Sequence, residues 1–524
     1  MFERLAELAI RRSRLILVVA TVVVALMGVL GAGAFGKLLG GGFDDPASQS
    51  SRAAKVIDEK FGGETNLVLL VRAKEGRVDA PAAARGGASL VADLKKEKTL
   101  TNVVSYWETN SPDLRSRDGR EAMVLAHVTG DETERRDNAK ELIATYSGTY
   151  KDAVEVQAGG GAAVGSDLGT QVVDDLILAE AIAIPLTLVL LLFIFGSVVA
   201  ALLPLAIATI AIVGSFAELF VLGSITDVAD TATNLTTALG LGLGIDYALL
   251  MVSRFREQLA AGSSVDDAVR RTVSTAGRTV AFSAATVAAA LAALLVFPQY
   301  FLRSFGFAGV GVVAIAALGT LFVMPALLAV LGHRVNSGRL PWARKDRSAD
   351  RDPMWGRLAR TVMRRPGVTA LPVLAVLLLA ASPLLGITFG TPDERVLPED
   401  SGSRQVSTAL RENFDGSEDM ALNIVIDTSV AKAPLESYAT ELAALKGVTR
   451  VEASTGTYAQ GEATPPGPAN AAFGRPDAQR ISVVSGLEPK SDAAQDLVEK
   501  VRAVTPPPGS QALVGGNDAA LVDS

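Results

Sequence analysis

The sequence predicts an α-helical membrane protein that carries two extracytoplasmic α/β domains. Three observations predict it. Hydrophobic residues, 49% of the 524, gather in runs of about 20, the helix length that crosses a bilayer. Two long segments between these runs are too polar to span, and their periodicity alternates between strand and helix. The second of these segments repeats the first at a near-constant offset of about 353 residues.

Taken in order, the apolar runs give spans over 15–34, 176–195, 198–221, 231–252, 279–297, 304–331 and 368–389. They divide the chain into a cytoplasmic N-terminus with the first span (1–35), a first extracytoplasmic domain (36–175) and spans two to six (176–332). A basic cytoplasmic loop (333–367), the seventh span (368–389) and a second extracytoplasmic domain (390–524) follow. Orientation comes from arginine. Arg4, Arg11, Arg12 and Arg14 precede the first span, and Arg254, Arg256, Arg270, Arg271 and Arg278 separate the fourth from the fifth. A dense cluster from Arg334 to Arg365, with Arg344, Lys345 and Arg347 inside it, precedes the seventh. The alternate connections are poor in cations, and "SITDVAD" holds only acids, so the positive-inside rule puts the N-terminus in the cytoplasm. A cleaved signal peptide, suggested by "GAGA", is disfavoured because the first apolar run exceeds an ordinary signal core.

In the first polar segment "TNLVLLVRA", "AMVLAHVTG" and "AVEVQAG" read as strands, and "AAARGGASLVADLKKEK" and "ERRDNAKELIATYSGTY" as helices. The pattern suits helices packed on one face of a sheet. In the second, "DMALNIVIDTS" and "QRISVVSGL" read as strands, "PLESYATELAALKG" and "SDAAQDLVEKVRAV" as helices, and "GEATPPGPANAAFGRP" as a loop without order of its own. "KFGGETNLVLLV" aligns with "NFDGSEDMALNIVI", "QAGGGAAVGSD" with "LVGGNDAALVD", and the Phe35-Gly36 pair with Phe389-Gly390. In the first unit a span begins about ten residues past the position matching Ser524, which predicts the N-terminal part of a protein of about 700 residues.

The chain has no cysteine and two histidines, so it offers no thiolate site and little basis for histidine catalysis or metal binding. No Walker A pattern appears. No enzyme, cofactor, catalytic residue or metal site is expected.

One acid stands out. Asp246, in "GLGLGIDYALLMVSRFREQL", lies eight residues and about 12 Å of helix from Arg254. A short side chain cannot snorkel that far, and an ionised carboxylate at mid-membrane costs about 2.5–3.5 kcal/mol, so it must face the protein interior or water, or hold a proton. Tyr247 supplies a hydroxyl able to donate to it or relay from it. Gly240, Gly242 and Gly244 predict a close helix approach at this turn. Ser283, in the fifth span, is either a hydrogen-bond neighbour of the acid or a hydroxyl satisfied by the carbonyl four residues before it. Glu180, Glu218 and Arg303 are placed at the outer interface.

"GLGLGIDYALLMVSRFREQL" followed by "AGRTVAFSAATVAAALAALLVFP" closely resembles the membrane signature of MmpL-type transporters of the resistance–nodulation–division (RND) superfamily. One span, an outer domain, five spans and the same again is that family's layout, and the resemblance covers essentially the whole chain. It implies the RND fold, as its N-terminal repeat plus part of the second without the last five spans, with ferredoxin-like, porter-type outer domains. It implies export of lipids or other hydrophobic molecules across the cytoplasmic membrane, driven by the proton-motive force. Asp246 and Tyr247 would then carry protons with an equivalent pair from a tenth span, and Ser283 would line the same channel. The partners implied are protons, membrane lipids and a hydrophobic or lipid-like substrate; a homo-oligomer or accessory proteins stay open, and no nucleic acid is expected. A non-transporting sensor or receptor, or a protein-translocation aid with this fold, is the alternative.

Overall fold

A computed structural model describes residues 2–340, 354–386, 393–414, 421–459 and 461–524. Arg344, Lys345 and Arg347 of the basic loop and the Phe389-Gly390 pair lie outside the described residues. The chain opens with α1 (Phe2–Arg11) and α2 (Ser13–Gly31). The first α/β segment follows as α3 (Gln49–Phe61), β1 (Leu67–Ala73), α4 (Pro81–Leu94), β2 (Leu100–Ser105), α5 (Tyr106–Thr109), β3 (Glu121–Val128), α6 (Glu132–Tyr146), β4 (Gly148–Tyr150) and β5 (Val154–Gly159). The bundle comprises α7 (Gly161–Phe195), α8 (Val198–Gly223), α9 (Ala232–Ala260), α10 (Val265–Ala292), α11 (Tyr300–Leu318) and α12 (Met324–Leu331). Then come α13 (Met354–Arg364) and α14 (Pro366–Ala381). The second α/β segment holds α15 (Gly402–Asn413), β6 (Leu422–Ile426), α16 (Lys432–Ala443), β7 (Val448–Ala453), β8 (Gly456–Ala459), β9 (Glu462–Thr464), β10 (Gly474–Arg475), β11 (Ala478–Ser485), α17 (Asp492–Ala503), β12 (Ala512–Gly515) and α18 (Asn517–Asp523).

Both sheets have the same plan. The first runs β2-β3-β1-β5-β4, and the second β12-β6-β11-β7-β8-β9. Leaving out the small hairpin strands, each is a ferredoxin-like antiparallel sheet with its first strand between the third and the last. "LVLLVRA" is buried almost throughout because β1 is paired on both sides and packed on its faces. The stretch expected to lack order forms β9, a 3₁₀ turn over Pro468–Phe473 and β10. Asn470 is the reason: its side chain accepts from the Gly467 backbone N–H at 2.9 Å and donates to the Ala453 carbonyl at 2.9 Å.

The contiguous segments 36–175 and 390–524 are not the packing units, because each sheet takes one helix from the other segment. Ala53, Ile57 and Phe61 of α3 pack against Val425, Ala478 and Leu513 of the second sheet. Val406 and Leu410 of α15, with Phe414 just beyond it, join the core of the first. Burying each large apolar side chain stabilises by about 1.5–3 kcal/mol, so the exchange ties the sheets together. Polar contacts seal it: Lys60 reaches Asp427 and Asp477 at 2.6 Å each, and Ser403 donates to Asp167 at 2.6 Å. Beside α3, burial pushes the Glu64 carboxyl up, with Arg480 opposing it.

Among the described residues seven helices are long and apolar enough to cross a membrane. The second starts earlier than its apolar run predicts: α7 continues from Gly161 beside the first sheet to Phe195, about 52 Å of helix with Pro185 inside it. The core of the bundle is formed by α8, α9 and the α11–α12 span, where 50%, 44% and 61% of the apolar windows are buried, against none for α14. α1 lies across the ends opposite the sheets, with Ala6 in the core beside Met251 and Met324. Those ends are closed by Arg256, which donates to the Phe195 carbonyl at 2.9 Å and to Asn336 at 2.7 Å.

Candidate functional site

Helices α8 and α9 pack antiparallel in a register set by glycine. A Cβ on Gly244 would lie 2.6 Å from the Ala208 Cα, and one on Gly240 2.8 Å from Ile212 Cγ1. Gly242 differs: it is exposed, and nothing lies within 4 Å of its would-be Cβ, so within these residues it packs against no helix. The reason is helical phase, since residue 242 is turned about 200° from both neighbours in the motif. Gly244→Val drives a branched side chain into the α8 backbone and should destabilise the bundle by about 1–3 kcal/mol, read as a lowered melting temperature in detergent. An unchanged melting temperature would mean that α8 and α9 do not meet there.

Asp246 shares the phase of Gly242. Ala238, Gly242, Asp246 and Leu250, four residues apart, form an exposed stripe along α9, and Ser283 and Thr286 are exposed on α10. Among the described residues no cation pairs with Asp246; Arg254 instead pairs with Glu257 at 2.7 Å. Tyr247, one residue on, turns about 100° inward. It is 3% exposed and packs with Val280, Ala284, Val313 and Leu321. Its hydroxyl lies near the Ser283 side chain yet makes no hydrogen bond of normal geometry. Ser283 is therefore brought to the tyrosine rather than directly to the acid. Asp246 and Ser283 are thus exposed, and Tyr247 is buried between α9, α10 and α11.

At this level the α11–α12 span loosens. Residues Gly319–Val323 form a π-helical turn, just before Pro325, whose missing N–H and bulky ring disturb the preceding turn. Thr320 is buried there with its hydroxyl unpartnered.

The end of α9 nearest the sheets is tied to the first α/β domain. Arg136 of α6 meets Asp230, two residues before α9, at 2.5 Å, with each side chain 28% exposed. Leu39 pairs with Ala229 in a parallel bridge, and Thr133 accepts from the Gly40 N–H at 2.9 Å. The helix bearing Asp246 thus starts from a joint with the sheet domain. Sequence reasoning missed this joint, because the two charges lie 94 positions apart, one on a helix surface and one in a loop, with no motif linking them.

Glu218 also differs from its expected place at the interface. Its Oε2 is buried without a partner, inside the α8–α11 contact. An acid near a span end reads as interfacial until the neighbouring helix is known to cover it.

Residues 42–369 match the family model described as MMPL family. The chain is 37% identical over 419 residues to the membrane protein SCO6666 of Streptomyces coelicolor, covering 79% of this chain and 58% of that protein. It is 30% identical over 553 residues to the trehalose monomycolate exporter MmpL3 of Mycolicibacterium smegmatis, covering 97% of this chain and 54% of the exporter. The mycolic acid-containing lipids exporter MmpL11 of the same organism is 29% identical over 371 residues, 68% of this chain and 38% of that protein. The chain spans about half the length of the first two of these relatives. With more than half of its residues matched by one family model and helices of membrane length on either side of a ferredoxin-like sheet, this multi-pass membrane protein belongs to the MMPL family.

Proposed function

We propose that this protein exports lipids or other hydrophobic molecules across the cytoplasmic membrane, driven by the proton-motive force, with Asp246 binding the proton and Tyr247 relaying it. The observation that carries the reading is Asp246 itself, a mid-span carboxylate without a counter-cation among the described residues, on a face of small and polar side chains. Ionised, it costs about 2.5–3.5 kcal/mol in a lipid-like setting; protonated, it costs far less. Protonation therefore changes which surroundings the face tolerates, and α9 carries that change to the joint at Asp230. One proton moving through 100 mV supplies about 2.3 kcal/mol, enough to hold roughly a fiftyfold gradient of a neutral substrate. The MmpL3 and MmpL11 names support a lipid-like cargo. A second Asp–Tyr pair against the exposed stripe completes the relay.

The test is export from cells carrying the intact gene, followed while the proton gradient is collapsed by an ionophore. Export should stop with the gradient, and export that continues unchanged would sink the proton-driven reading. The proposed orientation has the sheet domains outside. The native chain has no cysteine. Single cysteines at the exposed positions Ala82 and Ala444 should react with an impermeant maleimide on whole cells, and one at Ala261 only after lysis. Whole-cell labelling at Ala261 would reverse the orientation.

A further inference from the structure

The α8–α11 contact is antiparallel, with Gly319 against Ile210, Ile315 against Gly214 and Gly311 against Glu218. A Cβ at position 311 would collide with the Glu218 carboxyl, so only glycine leaves the space in which this carboxyl sits. Its Oε2 is buried and has no hydrogen-bond partner. Thr236, one turn from Gly240 on the α8-facing side of α9, is fully buried at nearly the same level, and its hydroxyl is also unpartnered.

Among the described residues no cation pairs with the Glu218 carboxyl. Between its ends α2 has no titratable residue beyond Arg14, at the end far from the sheets, and the acid of α9 within the membrane is Asp246. The α8–α9 register puts Glu218 level with Asn234, twelve residues and about 18 Å from Asp246. On α11 the nearest charge is Arg303, about 12 Å further toward the sheets. Lys37 lies past the end of α8, where its carbonyl meets Gly223. From Asp174 onward the charges of α7 are the acids Asp174, Asp175 and Glu180, the first two exposed and placed just before its apolar span. Among the described residues Glu218 makes no ion pair, and its Oε2 no hydrogen bond. An ionised carboxylate with neither partner nor cation in such a place is strongly disfavoured, whereas a carboxylic acid fits.

We propose that Glu218 is a second proton-binding carboxyl of the membrane bundle, seated in the Gly311 notch on the sheet-domain side of Asp246. Its Oε2 is seated in the notch, and the carboxyl exchanges its proton with water at that end of the bundle. Its part in export rests on the proton-driven reading above; its protonation does not.

Infrared spectra of the purified full chain in lipid, at a pH where exposed carboxyls are ionised, test the protonation. The wild type should show the C=O band of a buried carboxylic acid, absent in Glu218→Gln and retained in Asp246→Asn. Gly311→Ala, which fills the notch and leaves Glu218 in place, should shift or remove the same band; this arm decides the matter if Glu218→Gln does not fold. A band unchanged in Glu218→Gln, or unchanged in Gly311→Ala, overturns the proposal. With the substitution placed in the chromosomal gene, Glu218→Gln should lower export about 100-fold at equal protein level. Normal export with the band lost overturns its transport role. Ionophore-insensitive export in the wild type would instead remove the proton-driven reading and leave the band assignment standing.

Discussion

Asp246→Asn, placed in the chromosomal gene, is expected to abolish proton-coupled export while the protein still inserts and accumulates. Asparagine keeps the shape of the side chain and most of its hydrogen-bonding capacity but cannot gain or lose a proton near neutral pH. The positioned acid–base group is lost outright, an effect of about 100-fold to 10,000-fold where proton transfer is part of the cycle. Stability should move the other way, because a neutral amide is cheaper than an ionised carboxylate at mid-membrane. Equal or higher protein level with export at background is therefore the signature, and it separates this variant from one that misfolds. Tyr247→Phe removes one hydroxyl that has no well-formed hydrogen bond, so its effect should be only about threefold to tenfold. Export by Asp246→Asn at the wild-type rate would end the assignment.

Reversing either charge of the Arg136–Asp230 pair should reduce export about tenfold, and reversing both should restore most of it. Breaking a fully buried ion pair costs about 3–5 kcal/mol; at 28% exposure of each side chain, solvent screens part of that and about 1–3 kcal/mol remains. The pair joins α6 of the first sheet domain to the start of α9, the helix that carries Asp246 fourteen residues after Ala232, about 21 Å away. A rigid helix pinned at that joint passes a displacement at Asp246 to the sheet domain, and a helix freed from it does not. Arg136→Asp and Asp230→Arg are the singles, and the double variant regenerates an ion pair of reversed sense. Rescue in the double excludes mere loss of packing as the cause. If both singles export normally, the joint is not a coupling element; if both fail and the double fails equally, the positions matter for a reason other than their charges.

Much of the architecture follows from sequence alone. Seven apolar runs of membrane length become helices because a backbone in lipid must satisfy its own hydrogen bonds, whatever its neighbours are. The continuous apolar run "TNLVLLVRA" and the alternating "AVEVQAG" become β1 and β5, because the side-chain pattern of a strand is a local property, and the repeat foretold the matching sheets. Asp246 was legible for the same reason, since an acid amid apolar residues is conspicuous in one dimension. The tertiary structure decided the rest. That α3 docks on the second sheet and α15 on the first depends on which amphipathic face meets which exposed core, and amphipathic spacing names a face but not its partner. Gly240 and Gly244 are packed while Gly242 is bare, because α8 lies on only one side of α9. Arg136 finds Asp230 across 94 residues, and Glu218 Oε2 is buried because a glycine on another helix stands opposite it. Burial and pairing are set by neighbours distant in the chain, and those neighbours exist only once the helices and sheets have come together.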